Sequence, residues 1–117
     1  MFLTLIQVAF GGAIGSVLRY GATALVSAPF GTGLVNVLGS FAMGVLFVTL
    51  SSRTALSPLL MTGILGGFTT FSAFSLDALR LWQSGQTTGA ALYVAGSVVL
   101  SLFAVALGAA LAKGALG

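Results

Sequence analysis

The sequence predicts an all-α membrane protein with four transmembrane helices, the third broken in mid-membrane, and three observations lead there. Charged residues make up 4% of the chain and hydrophobic ones 58%, against roughly 25% charged in a soluble domain. So few polar side chains cannot coat a globule, so the solvent of this chain is mostly lipid. The apolar residues also fall into four runs, each near the ~20 residues that a bilayer-spanning helix needs. Finally, the third run carries Gly66 and Gly67 followed at once by Phe68, Thr69 and Thr70. Glycine loses the most backbone entropy in a helix and threonine is stiff at its first torsion, so this stretch weakens the helix locally. It reads either as a packing glycine pair or as a discontinuous helix holding an ion site, because lipid tolerates a break only where protein or a water-filled cavity satisfies the freed backbone.

The first span is expected over about 2–26. Gly11 and Gly15 give it a GxxxG spacing that permits close helix approach, and Arg19 and Tyr20 lie toward its far end. It lacks a basic leading region and is too long for a signal peptide, so it reads as mature helix. Pro29 and Gly31 punctuate a short loop. The second span covers about 32–50 and carries Asn36, the only asparagine, followed by Gly39, Ser40 and Gly44. A second loop holds Arg53. Ser57 and Pro58 open the third span, about 57–82, with proline at a natural first-turn position. Arg80 and Trp82 mark its interfacial end. A polar loop around Gly85 leads to the fourth span, about 89–113, which bears Tyr93, Ser97 and Ser101. No linker is long enough to divide the chain, so 1–117 reads as one transmembrane domain.

Composition closes off several functions. Without cysteine or histidine, and with Asp77 as the sole acid, paired-carboxylate catalysis within one subunit is impossible and a zinc site is not expected. The chain reads as no enzyme. Four scattered cations, Arg19, Arg53, Arg80 and Lys113, do not form the clustered basic stripe that nucleic acid requires. They also fail to orient the chain. With four spans, Arg53 and Lys113 fall on one side and Arg19 and Arg80 on the other. Orientation follows the Lys/Arg bias between sides, and here there is none. Either unseen cues fix one orientation, or identical chains insert both ways and pair antiparallel.

The polar residues inside the spans suggest a path. Tyr93, Ser97 and Ser101 are spaced by four residues and share one helix face, which reads as a hydroxyl track or as small-residue packing. Asn36 reads as interhelical glue or as a donor on that track. Phe71 and Phe74, three apart and directly after the glycines, share a face. An aromatic ring is electropositive at its edge, so a ring edge can meet an anion without a full charge that would trap it, and conduction needs binding weak enough to leave. Hydroxyls, an amide and ring edges, with no ring of acids, suit an anion better than a cation or a proton. Arg19 reads as an interfacial anchor or as a charge that concentrates anions at an entrance.

These residues resemble the Fluc (CrcB-type) fluoride channel family. The matching pieces are Gly11 to Tyr20, Gly31 to Asn36 with Gly39, Gly63 to Phe74, and Tyr93 with Ser97 and Ser101, the third being the most specific. The resemblance implies passive export of cytoplasmic fluoride across the inner (plasma) membrane, and fluoride resistance. It implies an antiparallel dual-topology homodimer with two pores. It places Phe71, Phe74, Asn36, Ser72, Tyr93, Ser97 and Ser101 along the fluoride path. It further implies a structural sodium ion on the dimer axis, held by main-chain carbonyls of Gly66 and Thr69 from both subunits; a hard cation takes oxygen ligands. Two positions depart from the family pattern: Ala73 stands where threonine is usual, and Asp77 where related chains often have glutamate. Two other functions remain open, a small dual-topology multidrug exporter and a non-transporting membrane subunit. The exporter needs an intramembrane carboxylate for proton exchange, and the first span offers none.

Overall fold

A computed structural model describes residues 1–50 and 54–116; Arg53 lies outside them. Every regular element among the described residues is helical. Helix α1 spans Phe2–Leu25 and α2 spans Phe30–Thr49. Helix α3 (58–68) is a π-helical stretch, Pro58–Leu65, continued by one α-helical turn, Gly66–Phe68. Helix α4 is Phe71–Gln83 and α5 is Thr87–Leu116. Four stretches are long and apolar enough to cross a membrane: α1, α2, Pro58–Gln83 and α5.

The ends of the helices follow from local chemistry. α1 stops where Val26 turns extended, and α2 starts after Pro29, whose missing N–H is harmless at a helix start. Pro58 occupies the start of α3 for the same reason. The wider π turns are visible at the end of that stretch, where the Gly66 N–H reaches back five residues to the Met61 carbonyl and is shared with Gly63. Between α4 and α5 the chain reverses through Gly85 at φ 85°, a left-handed conformation that favours glycine.

Two seams hold the bundle together: α1 packs on α3, and α2 packs on α5. In both, glycines let backbone touch backbone. A Cβ on Gly15 would strike the Ile64 carbonyl oxygen and lie 2.8 Å from the Phe68 nitrogen; one on Gly44 would strike the Val105 carbonyl oxygen. Such contact is how membrane helices associate when lipid and side chain are equally apolar. The core is correspondingly thin. Val35 is the only large side chain among the described residues that is completely covered, while Phe10, Val17, Phe47, Leu102 and Phe103 point outward. The molecule is a slab of 47 × 33 × 23 Å. Its long axis matches α5, whose 30 residues rise about 45 Å.

Candidate functional site

The site forms where α3 gives way to α4. Thr69 (φ −87°, ψ 156°) and Thr70 (φ −151°, ψ 125°) are extended, and the helix resumes at Phe71. The change of conformation frees backbone groups, and each known partner is a side chain or a local turn. Leu65 carbonyl accepts both the Thr69 N–H (3.1 Å) and the Thr69 hydroxyl (3.0 Å), which closes α3. The Thr70 hydroxyl accepts from the Ala73 N–H (3.2 Å) and caps α4.

Two side chains from other helices complete the junction. Asn36 on α2 grips the Thr70 peptide unit from both ends, its Nδ2 donating to the Thr70 carbonyl (2.8 Å) and its Oδ1 accepting from the Thr70 N–H (2.8 Å). Arg19 on α1 donates its Nε to the Gly67 carbonyl (3.2 Å). These bonds settle where the amides go. In a continuous helix the Thr70 N–H would close on the Gly66 carbonyl and the Ala73 N–H on the Thr69 carbonyl. Both amides are engaged elsewhere, so the carbonyls of Gly66 and Thr69 lose their helical donors. Thr69 fits because α2 offers Gly39 opposite; a Cβ there would collide with the Thr69 methyl and lie 3.3 Å from the Phe68 ring.

Beside this junction lies an open groove of about 570 Å³ whose lining includes Asn36, Gly66, Thr69, Phe71, Ser97 and Ser101. Phe74 lines it too. Phe71 and Phe74 meet edge to face, 5.5 Å apart at 62°, so one ring directs its electropositive rim toward the other. Their environments differ: Phe71 is 77% exposed, whereas Phe74 is buried. Phe74 also stacks obliquely on Tyr93, 5.2 Å between centroids. The structure therefore gathers Asn36, Phe71, Phe74, Ser97 and Ser101 around one space, together with Gly66 and Thr69. Tyr93 stands behind Phe74, near Gly33 of α2, and does not line the groove. The Ser72 hydroxyl is exposed and lies 3.4 Å from that of Thr70. Arg19 sits apart from the groove, against α3.

Two contacts are not readable from spacing: the grip of Asn36 on the Thr70 backbone and the bond from Arg19 to the Gly67 carbonyl. Both contacts join residues 34 and 48 positions apart, beyond any periodicity. The one available signal was the rarity of such residues in an apolar chain.

The chain matches the family described as "CrcB-like protein, Camphor Resistance (CrcB)" over residues 6–109. It belongs to that family. It is 50% identical to a "Fluoride-specific ion channel FluC" of Paracoccus denitrificans across 95% of both chains. A protein of the same name from Cereibacter sphaeroides is 51% identical, with 97% of this chain and 98% of the relative covered. One from Ruegeria sp. is 48% identical over 99% of each. The CrcB-like relatives are thus named as ion channels and not as enzymes, and the four membrane-length stretches make this member a multi-pass membrane protein.

Proposed function

We propose that the chain is a fluoride-selective channel that exports cytoplasmic fluoride passively through the inner membrane and so confers fluoride resistance. One observation carries the reading: relatives named for fluoride share about half of its residues over nearly its whole length. The groove supports it. A small anion stripped of water in an apolar medium loses its full hydration, so its path must supply replacement donors. The Ser97 and Ser101 hydroxyls and the rims of Phe71 and Phe74 supply them in the groove, with no carboxylate among the lining residues; Ser72 and Tyr93 lie outside that lining. Asn36 contributes by holding the groove in place, since both ends of its amide are already bonded to Thr70. Arg19 supplies positive charge near the interrupted segment without facing the ion directly.

The broken third span sits in mid-membrane and the functional unit is an antiparallel homodimer of oppositely inserted chains. Supporting this are the even split of cations between the two sides, the open groove that a second copy would close, and the exposure of Gly66 at its edge. A sodium ion fits the same junction. The carbonyls of Gly66 and Thr69 have lost their helical donors, and two copies would bring four such oxygens to a hard cation; the ion would hold the two breaks together. The exporter reading would need a proton-exchanging acid facing the transport space, and Asp77 does not line the groove.

Fluoride efflux from liposomes tests the function. Purified protein is expected to release trapped fluoride without a proton gradient. No release above protein-free vesicles would overturn the channel reading.

A further inference from the structure

Asp77 is the only side-chain acid in the chain, and the path just described does not use it. It is buried, 6% exposed, on α4. It lies one helical turn beyond Phe74, on the same face. The Tyr93 hydroxyl donates to its Oδ2 at 3.4 Å, and the Tyr93 ring rests on Phe74. Phe74, Asp77 and Tyr93 therefore form one cluster. The cluster lies between two cavities: Phe74 lines the main groove, while Asp77 lines a second cleft of about 240 Å³ with Pro29, Arg80 and Ser84. Tyr93 lines neither cavity, so an ion crossing from the groove to that cleft would have to pass Phe74 to reach the Tyr93–Asp77 bond.

We propose that Asp77 sets anion specificity by competing with the passing ion for the single hydroxyl proton of Tyr93. The proposal rests on the fluoride-channel reading. A phenol has one proton to donate, and here it is directed at a carboxylate. An O–H···O⁻ bond is ordinarily about 2.5–2.7 Å, so at 3.4 Å this one is long and displaceable. Fluoride, compact and of high charge density, accepts an O–H strongly enough to draw the hydrogen bond away from the carboxylate. A larger, softer halide does not. Discrimination then comes from a competitor built into the wall, a repulsive device in addition to an attractive one. The step exchanges one hydrogen bond for another; no covalent bond changes. Arg80, lining the same cleft, offsets the negative field of Asp77 for the leaving anion.

The test uses the full chain in liposomes, with fluoride and chloride flux measured separately. Asp77→Asn leaves a neutral, weaker competitor, and the fluoride-over-chloride ratio is expected to fall at least about tenfold. In a Tyr93→Phe background there is no proton to contest, and Asp77→Asn is expected to change the ratio by less than about twofold. An unchanged ratio in Asp77→Asn overturns the proposal. So does an equal loss in the Tyr93→Phe background, which would mean that the carboxylate acts only through its field. Infrared difference spectra of the unaltered protein give a second test that needs no variant, since Asp77 is its one side-chain carboxylate. Added fluoride is expected to shift that band and added chloride to leave it; a band indifferent to fluoride refutes the competition. Absence of fluoride flux from the unaltered protein overturns the channel reading itself, and this proposal with it.

Discussion

Helices α3 and α4 share one membrane stretch, yet different forces hold them. α3 is apolar and is fixed through its backbone: Gly63 is buried against Gly11, and Ile64 and Phe68 press on Gly15 of α1. Its side chains do little that another apolar residue of similar size could not do. α4 carries Ser72, Ser75, Asp77 and Arg80 among its apolar residues. Its contacts with α5 run through side chains, Phe74 on Tyr93 and Tyr93 on Asp77. On the proposed channel reading, the difference teaches that the interruption at Thr69 and Thr70 separates a scaffold from a working surface. Changes of size are expected to harm the first, and changes of chemistry at constant size the second.

The largest effect is expected at the scaffold. Gly15→Ala adds a Cβ onto the Ile64 carbonyl, and backbone cannot rotate away as a side chain can. Overpacking of this kind costs typically about 1–3 kcal/mol, occasionally more. Here it is expected to lower the yield of folded protein and its melting temperature in detergent, whatever the ion present. If Gly15→Ala melts like the unaltered chain, α3 is not held by backbone contact and the comparison fails.

Asn36→Ala strikes the boundary between the two halves. It removes both partners of the Thr70 peptide at once, and each buried group left unsatisfied costs about 1–3 kcal/mol. Asn36→Asp keeps an acceptor for the Thr70 N–H but can no longer donate to the Thr70 carbonyl, so it is expected to fall between. Thermal unfolding of the two variants checks the order. Equal stabilities for all three chains would show that the amide faces the ion and not the backbone.

On the working surface the effect is expected in flux and not in stability. Phe71→Ile and Phe74→Ile keep an apolar side chain but remove an electropositive rim. Each is expected to slow fluoride efflux about tenfold or more, equivalent to roughly 1.4 kcal/mol in the barrier. Phe68→Ile, on the scaffold side and packed toward Gly39, is expected to change efflux far less. Unchanged efflux in both Phe71→Ile and Phe74→Ile, with the protein intact, would make the rings packing residues.

The scaffold was largely legible in the sequence, because hydropathy and glycine spacing are local signals. The four apolar runs and the Gly11–Gly15 pair could be read directly, and each helix end lies within a few residues of a proline, a glycine or a polar loop. The π-helical form of Pro58–Leu65 was not legible: its apolar residues suit α and π turns alike, and it is the pairing of the Gly66 N–H with Met61 that distinguishes them. The working surface was legible only as a set of candidates. Spacing placed Ser97 and Ser101 on one face, and both line the groove. Spacing alone puts Tyr93 on that face too, yet its ring stands behind Phe74, on which it packs. Asp77 was visible as the sole acid, but its acceptance of the Tyr93 proton depends on a contact 16 residues away.

The smallest effect is expected where the two halves meet in main chain alone. The Thr69 hydroxyl is bound to the Leu65 carbonyl, and its methyl occupies the space that Gly39 leaves open. Thr69→Ser retains the first contact and loses the second, at a cost of about 0.8 kcal/mol for one buried carbon. The proposed sodium ligand at this position is the carbonyl, which the substitution does not touch, so sodium is expected to stabilise Thr69→Ser against heat as much as it stabilises the unaltered chain. Thr69→Val reverses the pairing, keeping a methyl and losing the hydroxyl that closes α3. It is expected to loosen the turn that aims both carbonyls and to weaken the sodium dependence. Should Thr69→Val abolish the sodium response outright, while its stability without sodium matches that of Thr69→Ser, the ligand is the hydroxyl and not the backbone. The junction would then belong with the chemistry of α4 and not with the scaffold of α3.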